Sequence, residues 1–180
     1  IARLKFLYLA SGKIFKEEQN QDKAMECFQK LLVLEPSHSE GLSLTVESLT
    51  EAKRWKELLE VYRIVASLSE HLEEIENVHV KMALLWEKEF SHLENALLHY
   101  CVAYQINAQN LRAIKGMKEI YEKQERWAEV IEMAEAEAKV LEEKKRLPLY
   151  VSIGDIWAEK LSMPHDALRS YLRVLEYGFH

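Results

Sequence analysis

Seven histidines are the first side chains to weigh as metal ligands or proton carriers. The closest pairs are His92 with His99 and His71 with His79, seven and eight residues apart. On a helix two such residues stand roughly 10 Å or more apart, too far to chelate one zinc ion at about 2 Å per ligand. No His-Glu-x-x-His run occurs, so no metal site is expected and the histidines read as solvated or hydrogen-bonded. A phosphate cradle needs clustered glycines, whereas Gly12, Gly41, Gly116, Gly154 and Gly178 lie more than 20 residues apart and read mostly as helix-packing positions. No cofactor is expected. Cys27 and Cys101 lack a neighbouring base and read as buried thiols of a reducing compartment rather than nucleophiles. Adjacent carboxylates such as Glu73-Glu74 and Glu142-Glu143 diverge on a helix and read as solvated faces. The cluster Lys144-Lys145-Arg146 reads as the solvated end of a helix, its charge complementing the carbonyl end of the dipole. The flanking acids weaken an anion-binding role for it. No constellation meets the mutual geometry of a catalytic site, so the chain is not expected to be an enzyme.

The elements that must carry these residues are helices. Apolar residues make 48% and charged residues 30% of 180, against five Gly and three Pro, a balance that suits long amphipathic helices rather than turn-rich sheets. The formal net charge of −6 argues against a non-specific grip on nucleic acid or on an anionic membrane, both of which need a dense positive field. With no long apolar run and no basic-then-apolar leader, a soluble protein of the cytoplasm is expected.

The chain repeats itself. A small-then-apolar step followed by an aromatic recurs as Ala24-Met25 with Phe28, Ala96-Leu97 with Tyr100, and Ala167-Leu168 with Tyr171. A second motif interleaves, since Arg54-Trp55-Lys56-Glu57 returns as Arg126-Trp127-Ala128-Glu129, and Trp86 and Trp157 form a third pair. Placing Ala24, Leu58, Ala96, Val130 and Ala167 on one ruler gives steps of 34, 38, 34 and 37 residues. Such periods mark arrays of supersecondary units that bury their apolar faces on one another. Each unit reads as two helices. In the first, Leu4, Leu7, Tyr8, Ser11, Gly12 and Phe15 fall at helical spacing, polar residues 17–22 make the turn, and a second helix runs from near Asp22 to a stop at Pro36. Asn107-Ala108-Gln109-Asn110 serves as a later turn, and Pro164 and Asp166 suit a helix start.

These residues resemble the tetratricopeptide repeat family, whose 34-residue motif sets large or aromatic residues at positions 4, 11 and 24, small ones at 8 and 20, and proline at 32. Lys5 to His38 matches all six positions with Tyr8, Phe15, Phe28, Gly12, Ala24 and Pro36. The other units match less well. The second has Val46 and Leu58 at the small positions, and the fourth carries Lys118 and Ala134 where a small and an aromatic residue belong. The third and fifth carry one extra residue between their helices. The alternation of long and short units is similar to that of large bacterial proteins built of many such repeats. The resemblance implies an all-α fold, a right-handed α-solenoid of about five stacked helix-turn-helix units over residues 5–38, 39–75, 76–110, 111–146 and 147–180.

In the resembled family the first helix of each unit lines a concave groove. Carried over, this nominates Lys13, Lys16 and Glu17, then Glu47 and Glu51, then Leu84, Glu87 and Lys88, then Arg112, Lys115, Glu119 and Lys123, then Asp155 and Glu159. Leu9 precedes Lys13 and the Asn of the two-carboxylate clamp is missing, so capture of a chaperone C-terminus by that mode is not expected. The leading expectation is a scaffold that holds a peptide or helix of a partner protein by charge pairs around apolar anchors such as Leu84. The rival is a structural spacer or oligomerisation segment within a longer chain. It is favoured by a start at Ile1 and by apolar residues near both ends, Leu4, Phe6, Leu7 and Leu9 at one and Leu172, Val174, Leu175, Tyr177 and Phe179 at the other. Exposed ends of this kind could also give self-association. A third reading, single-stranded RNA binding by helical pairs, is opposed by the acidic balance.

Overall fold

The computed structural model describes residues 1–35 and 38–178, and at 177 and 178 the backbone alone. Among the described residues there are ten α-helices and no strand. They are α1 (Ala2–Glu17), α2 (Gln21–Leu34), α3 (Ser39–Glu51), α4 (Trp55–Leu68), α5 (Leu72–Lys88), α6 (Leu93–Ile106), α7 (Leu111–Lys123), α8 (Trp127–Val140), α9 (Glu143–Asp155) and α10 (Pro164–Gly178). A π-helical turn, Ile156–Lys160, continues α9. The chain divides into two compact units, Ile1–Phe90 with α1 to α5 and Ser91–His180 with α6 to α10. Within each, every helix packs on the one that follows it, as the helical-repeat class requires.

The period seen in side-chain types is also written in the backbone. Gln19, Lys53, Ser91, Glu125 and Ser162 all have φ between 52° and 57°, and they follow one another at the same steps of 34, 38, 34 and 37 residues. None is glycine, yet each takes the left-handed conformation that ends a helix and reverses the chain. The hydrogen bonds explain why. Asn20 N–H donates to the Phe15 carbonyl at 2.8 Å and Gln19 N–H to Lys16 at 3.0 Å, the paired bonds of a Schellman turn. Arg54 with Leu49 and Arg126 with Tyr121, both at 2.9 Å, repeat it. The next helix is then started by a side-chain acceptor in several places. Asn20 accepts from Lys23 N–H, His38 from Gly41, His92 from Asn95 and Asn110 from Ala113.

The extra residue is absorbed differently in the two long repeats. The turn between α5 and α6 spans 89–92, one residue longer than the turns at 18–20, 52–54 and 124–126. The turn between the π-helical segment and α10 keeps the short form at 161–163, and the surplus residue sits in the wider π turn before it.

Close approach of helices is what the glycines permit. A β-carbon at Gly12 would lie 2.4 Å from the Phe28 ring, one at Gly154 2.3 Å from Tyr171, one at Gly116 2.4 Å from Tyr100, and one at Gly41 2.7 Å from Leu31. The first two contacts join the helices of one hairpin, and the last two join a second helix to the first helix of the next repeat. In the first unit the core gathers Met25, Leu49, Leu58, Leu59, Tyr62, Val65, Val78 and Met82. In the second, Ile131, Ala134 and Ile153 form a buried group flanked by Tyr150, Ile156, Trp157 and Leu161.

Two expectations are corrected. Lys144, Lys145 and Arg146 lie in the first turn of α9, not at a helix C-terminus, because α9 begins at Glu143 and runs through Pro148. The dipole match is recovered in another way, since Arg146 Nε donates at 2.8 Å to the carbonyl of Leu141, the residue that caps the C-terminus of α8. Cys27 and Cys101 are half-buried rather than buried, as each lies at the edge of its helix's inward face. Pro36 and Phe179 and the side chain of Tyr177 lie outside the described residues.

Gly116→Ala should lower stability by about 1–3 kcal/mol, since the Tyr100 ring it would strike is sealed in the core and has nowhere to move. Gly154→Ala should cost less, because Tyr171 is only half-buried and its ring can swing toward solvent. Urea unfolding of the two variants checks the order; equal losses would contradict it.

Candidate functional site

The Arg-Trp-x-Glu repeat found in the sequence turns out to be a helix-start device. Arg54 precedes α4 and Arg126 precedes α8, and each clasps the glutamate three residues on. Arg54 reaches both oxygens of Glu57 at 2.6 and 2.8 Å, and Arg126 holds Oε1 of Glu129 through two nitrogens at 2.8 and 2.6 Å. The acid is thereby fixed at the positive end of the helix dipole, and the Arg126 hydrogen bond keeps the Glu129 carboxyl below its ordinary pKa. Arg126 also lies over the Tyr121 ring at 4.6 Å.

The nominated residues separate into three groups. On α1 and α3 the charges satisfy one another, with Lys13 Nζ 2.6 Å from Glu40 and Lys16 Nζ 2.6 Å from Glu47. These pairs bridge successive first helices and are partly exposed, so each is worth roughly 0–1 kcal/mol and a stronger competitor could open it. Glu40 was missed by the sequence reading, and the alternation of charge between Lys13 and Glu40 is its only signal. Glu51 on α3 and Lys88 on α5 are exposed, and Leu84 is half-buried on α5. On α7, Arg112, Lys115, Glu119 and Lys123 are all exposed, and their spacings of three, four and four residues place them on one helical face.

Beside that stripe the fourth repeat departs from the motif at two positions. Lys118 occupies the position of Gly12, and Ala134 the position of Phe28, so the fourth repeat reverses the usual sizes of the facing pair. The lysine is largely covered, its side chain 18% exposed. Its ammonium group pairs with Glu137, a carboxylate with a side chain only 5% exposed, and Lys115 approaches the other oxygen at 3.6 Å. Lys115 is therefore partly committed inward.

Elsewhere, burial pushes the Cys101 thiol above its ordinary range, against the opposing influence of a hydrogen bond from Tyr121, and it does the same to Cys27. Burial also lowers His79 below the usual imidazole value. Among the described residues no three His, Cys, Asp or Glu side chains converge to hold a metal ion, and no helix is long and apolar enough to cross a membrane. A groove of about 490 Å³ lies on the second helices, between α2 and α4, lined chiefly by Leu32, Val33, Val61 and Ile64.

Stacked helical hairpins with small residues opposed to rings define a helical-repeat fold, and the comparisons place it. No family model and no curated protein matches the chain. Solved structures do. A MamA crystal structure aligns over 98% of this chain and 93% of its own with a TM-score of 0.60 at 16% identity. YrrB, described as a TPR protein with an unusual peptide-binding site, aligns over 94% and 84% with a TM-score of 0.56 at 12% identity. MamA from Desulfovibrio magneticus RS-1 aligns over 97% and 95% with a TM-score of 0.55 at 13% identity. The chain has the tetratricopeptide-repeat fold.

Removing one member of the inner pair should show what it holds. Lys118→Met is expected to lose stability toward the lower end of about 3–5 kcal/mol, since Lys115 still offers Glu137 a partner. Joining Glu137→Leu to it should restore most of the loss in urea denaturation. A double variant no more stable than Lys118→Met would show that the pair is not coupled.

Proposed function

We propose that the chain is a protein-interaction scaffold that holds a peptide or helix of a partner protein, with the exposed face of the first helix α7 as the main contact. The observation that carries this reading is the exposed stripe Arg112, Lys115, Glu119 and Lys123. It holds three cations to one acid, on a rigid helix buttressed from below by Ala113, Ile114, Met117 and Ile120. Rigid elements present charges without the entropic loss of ordering a loop, and a partner with spaced carboxylates complements this stripe. The α1 and α3 charges serve the reading less directly, because Lys13 and Lys16 already face Glu40 and Glu47. YrrB, whose fold is similar, has a peptide-binding site, which supports peptide binding as the use of the fold here.

Arg112→Glu combined with Lys123→Glu reverses the stripe and spares Lys115, which also serves Glu137. Peptides selected from a random library on the wild-type chain should be rich in Asp and Glu. They should bind the reversed variant at least tenfold more weakly, with helicity unchanged by circular dichroism. Equal binding by both forms would remove α7 from the site.

A further inference from the structure

The groove between α2 and α4 belongs to the first unit, and it keeps on the surface apolar residues that the repeat register elsewhere makes polar or covers. Val33 is 81% exposed at its rim. The same position in the other second helices holds Ser67, Gln105, Lys139 and Glu176, all polar and all exposed. Ile64 is 52% exposed on the opposite wall, where the counterparts are Lys30, half-buried Val102, buried Ala136 and Arg173. Two equivalent gaps occur in the second unit, and the chain closes both by itself. Between α6 and α8, the larger Tyr104 and Met133 stand in place of Leu32 and Val61. Met133, Ala136 and Ile114 are buried there, whereas Val61 and Leu42, the counterparts of Met133 and Ile114, are only half-buried. Between α8 and α10, Arg173 reaches from the place of Ile64 to Glu135, in the place of Gln29, at 3.4 Å. Its guanidinium lies over the ring of Tyr150, which stands where Leu42 lines the first groove.

What the first unit leaves open is about 490 Å³ of largely apolar space. From Glu57 to Val65 it runs along roughly 12 Å of α4, about two helical turns. Its chemistry limits the occupant. An extended peptide would bury its own N–H and C=O groups against side chains that cannot pair with them, whereas a helix satisfies its backbone internally. The two acids that line the groove are already matched, since Arg54 holds both oxygens of Glu57 and Arg63 holds Oε1 of Glu60 at 2.7 Å. A charged group entering the groove would therefore lose its water and gain no unmatched partner. We infer that the groove between α2 and α4 is a second docking site, for an amphipathic helix of a partner protein. The uncharged apolar stripe of that helix, of Leu, Met or Phe, does for the first unit what Tyr104 and Met133 do for the second. The site shares no residue with the α7 stripe, and the two readings stand or fall separately.

Fluorescence anisotropy of labelled synthetic helices on the 180-residue chain tests this. The helices are built of alanine and glutamine, end in lysines for solubility, and carry Leu, Met or Phe at i, i+3, i+4 and i+7. At least one should bind the wild-type chain saturably. Leu32→Tyr combined with Val61→Met, which copies the filling of the second unit, should weaken that binding at least tenfold while helicity stays unchanged and the melting temperature does not fall. Should that variant fail to fold, Gln29→Glu combined with Ile64→Arg, which copies the bridge between α8 and α10, carries the same comparison. Arg112→Glu combined with Lys123→Glu should bind the helix as the wild type does, which separates this site from the α7 stripe. No binding by the wild type, or equal binding by the wild type and the filled variant, would overturn the inference. Saturable binding of the neutral dye N-phenyl-1-naphthylamine in the absence of any helix binding would overturn it in favour of a small apolar ligand.

Discussion

The rest of the structure depends on how closely neighbouring helices approach. A β-carbon at Gly12, Gly116 or Gly154 would lie less than 2.5 Å from the facing ring, so the ring can fill the gap only because the opposing residue has no side chain. One contact of this kind sets the spacing within a hairpin, and another sets the spacing to the next repeat. Between them they determine which residues are sealed and which reach solvent. The left-handed residues at the hairpin turns follow from the same constraint. A chain that reverses tightly enough to bring Gly12 onto Phe28 accepts a Schellman turn at Gln19, and the same turn recurs at Lys53 and Glu125, though none is the residue that turn prefers.

Because each repeat touches only its neighbours, local departures are absorbed locally. The fourth repeat exchanges large and small at its facing positions, with Lys118 for glycine and Ala134 for an aromatic, and the partly buried lysine is paired with the buried carboxylate of Glu137. A buried ion pair of this kind is weak evidence of added stability but strong evidence of geometric commitment, since loss of either partner leaves a charge stranded. The same commitment reaches outward through Lys115, so the chemistry of the α7 surface and the packing beneath it are not independent.

The helical pairing was legible in the sequence because the residues that impose it are few and chemically distinctive. Gly12, Phe28, Gly154 and Tyr171 recur at fixed steps, and their roles are those their sizes demand. The sequence was less informative where a residue's role depends on the rise from one repeat to the next. Lys13 and Lys16 were legible as surface charges, but their partners lie on α3, 27 and 31 residues further on, and no local pattern announces them. Lys144 to Arg146 misled for a related reason. A basic run after two acids looks like a helix end, and only the path of the backbone shows that α8 stops at Val140 and α9 is already under way. The π turn at Ile156–Lys160 was visible as one surplus residue but not as a change of helical pitch, because insertion length alone does not say which element takes it up.

Stabilisation by adjacency is the central claim, and native-state hydrogen exchange of the whole chain under increasing urea tests it most directly. Helices with a covered neighbour on both sides should open at higher free energy than those with one face exposed, so amides in α4 and α7 should be the best protected and those in α1 and α10 the first to exchange. A graded series of opening free energies is the predicted result. Every helix opening at one common free energy, with one common urea dependence, would contradict the account.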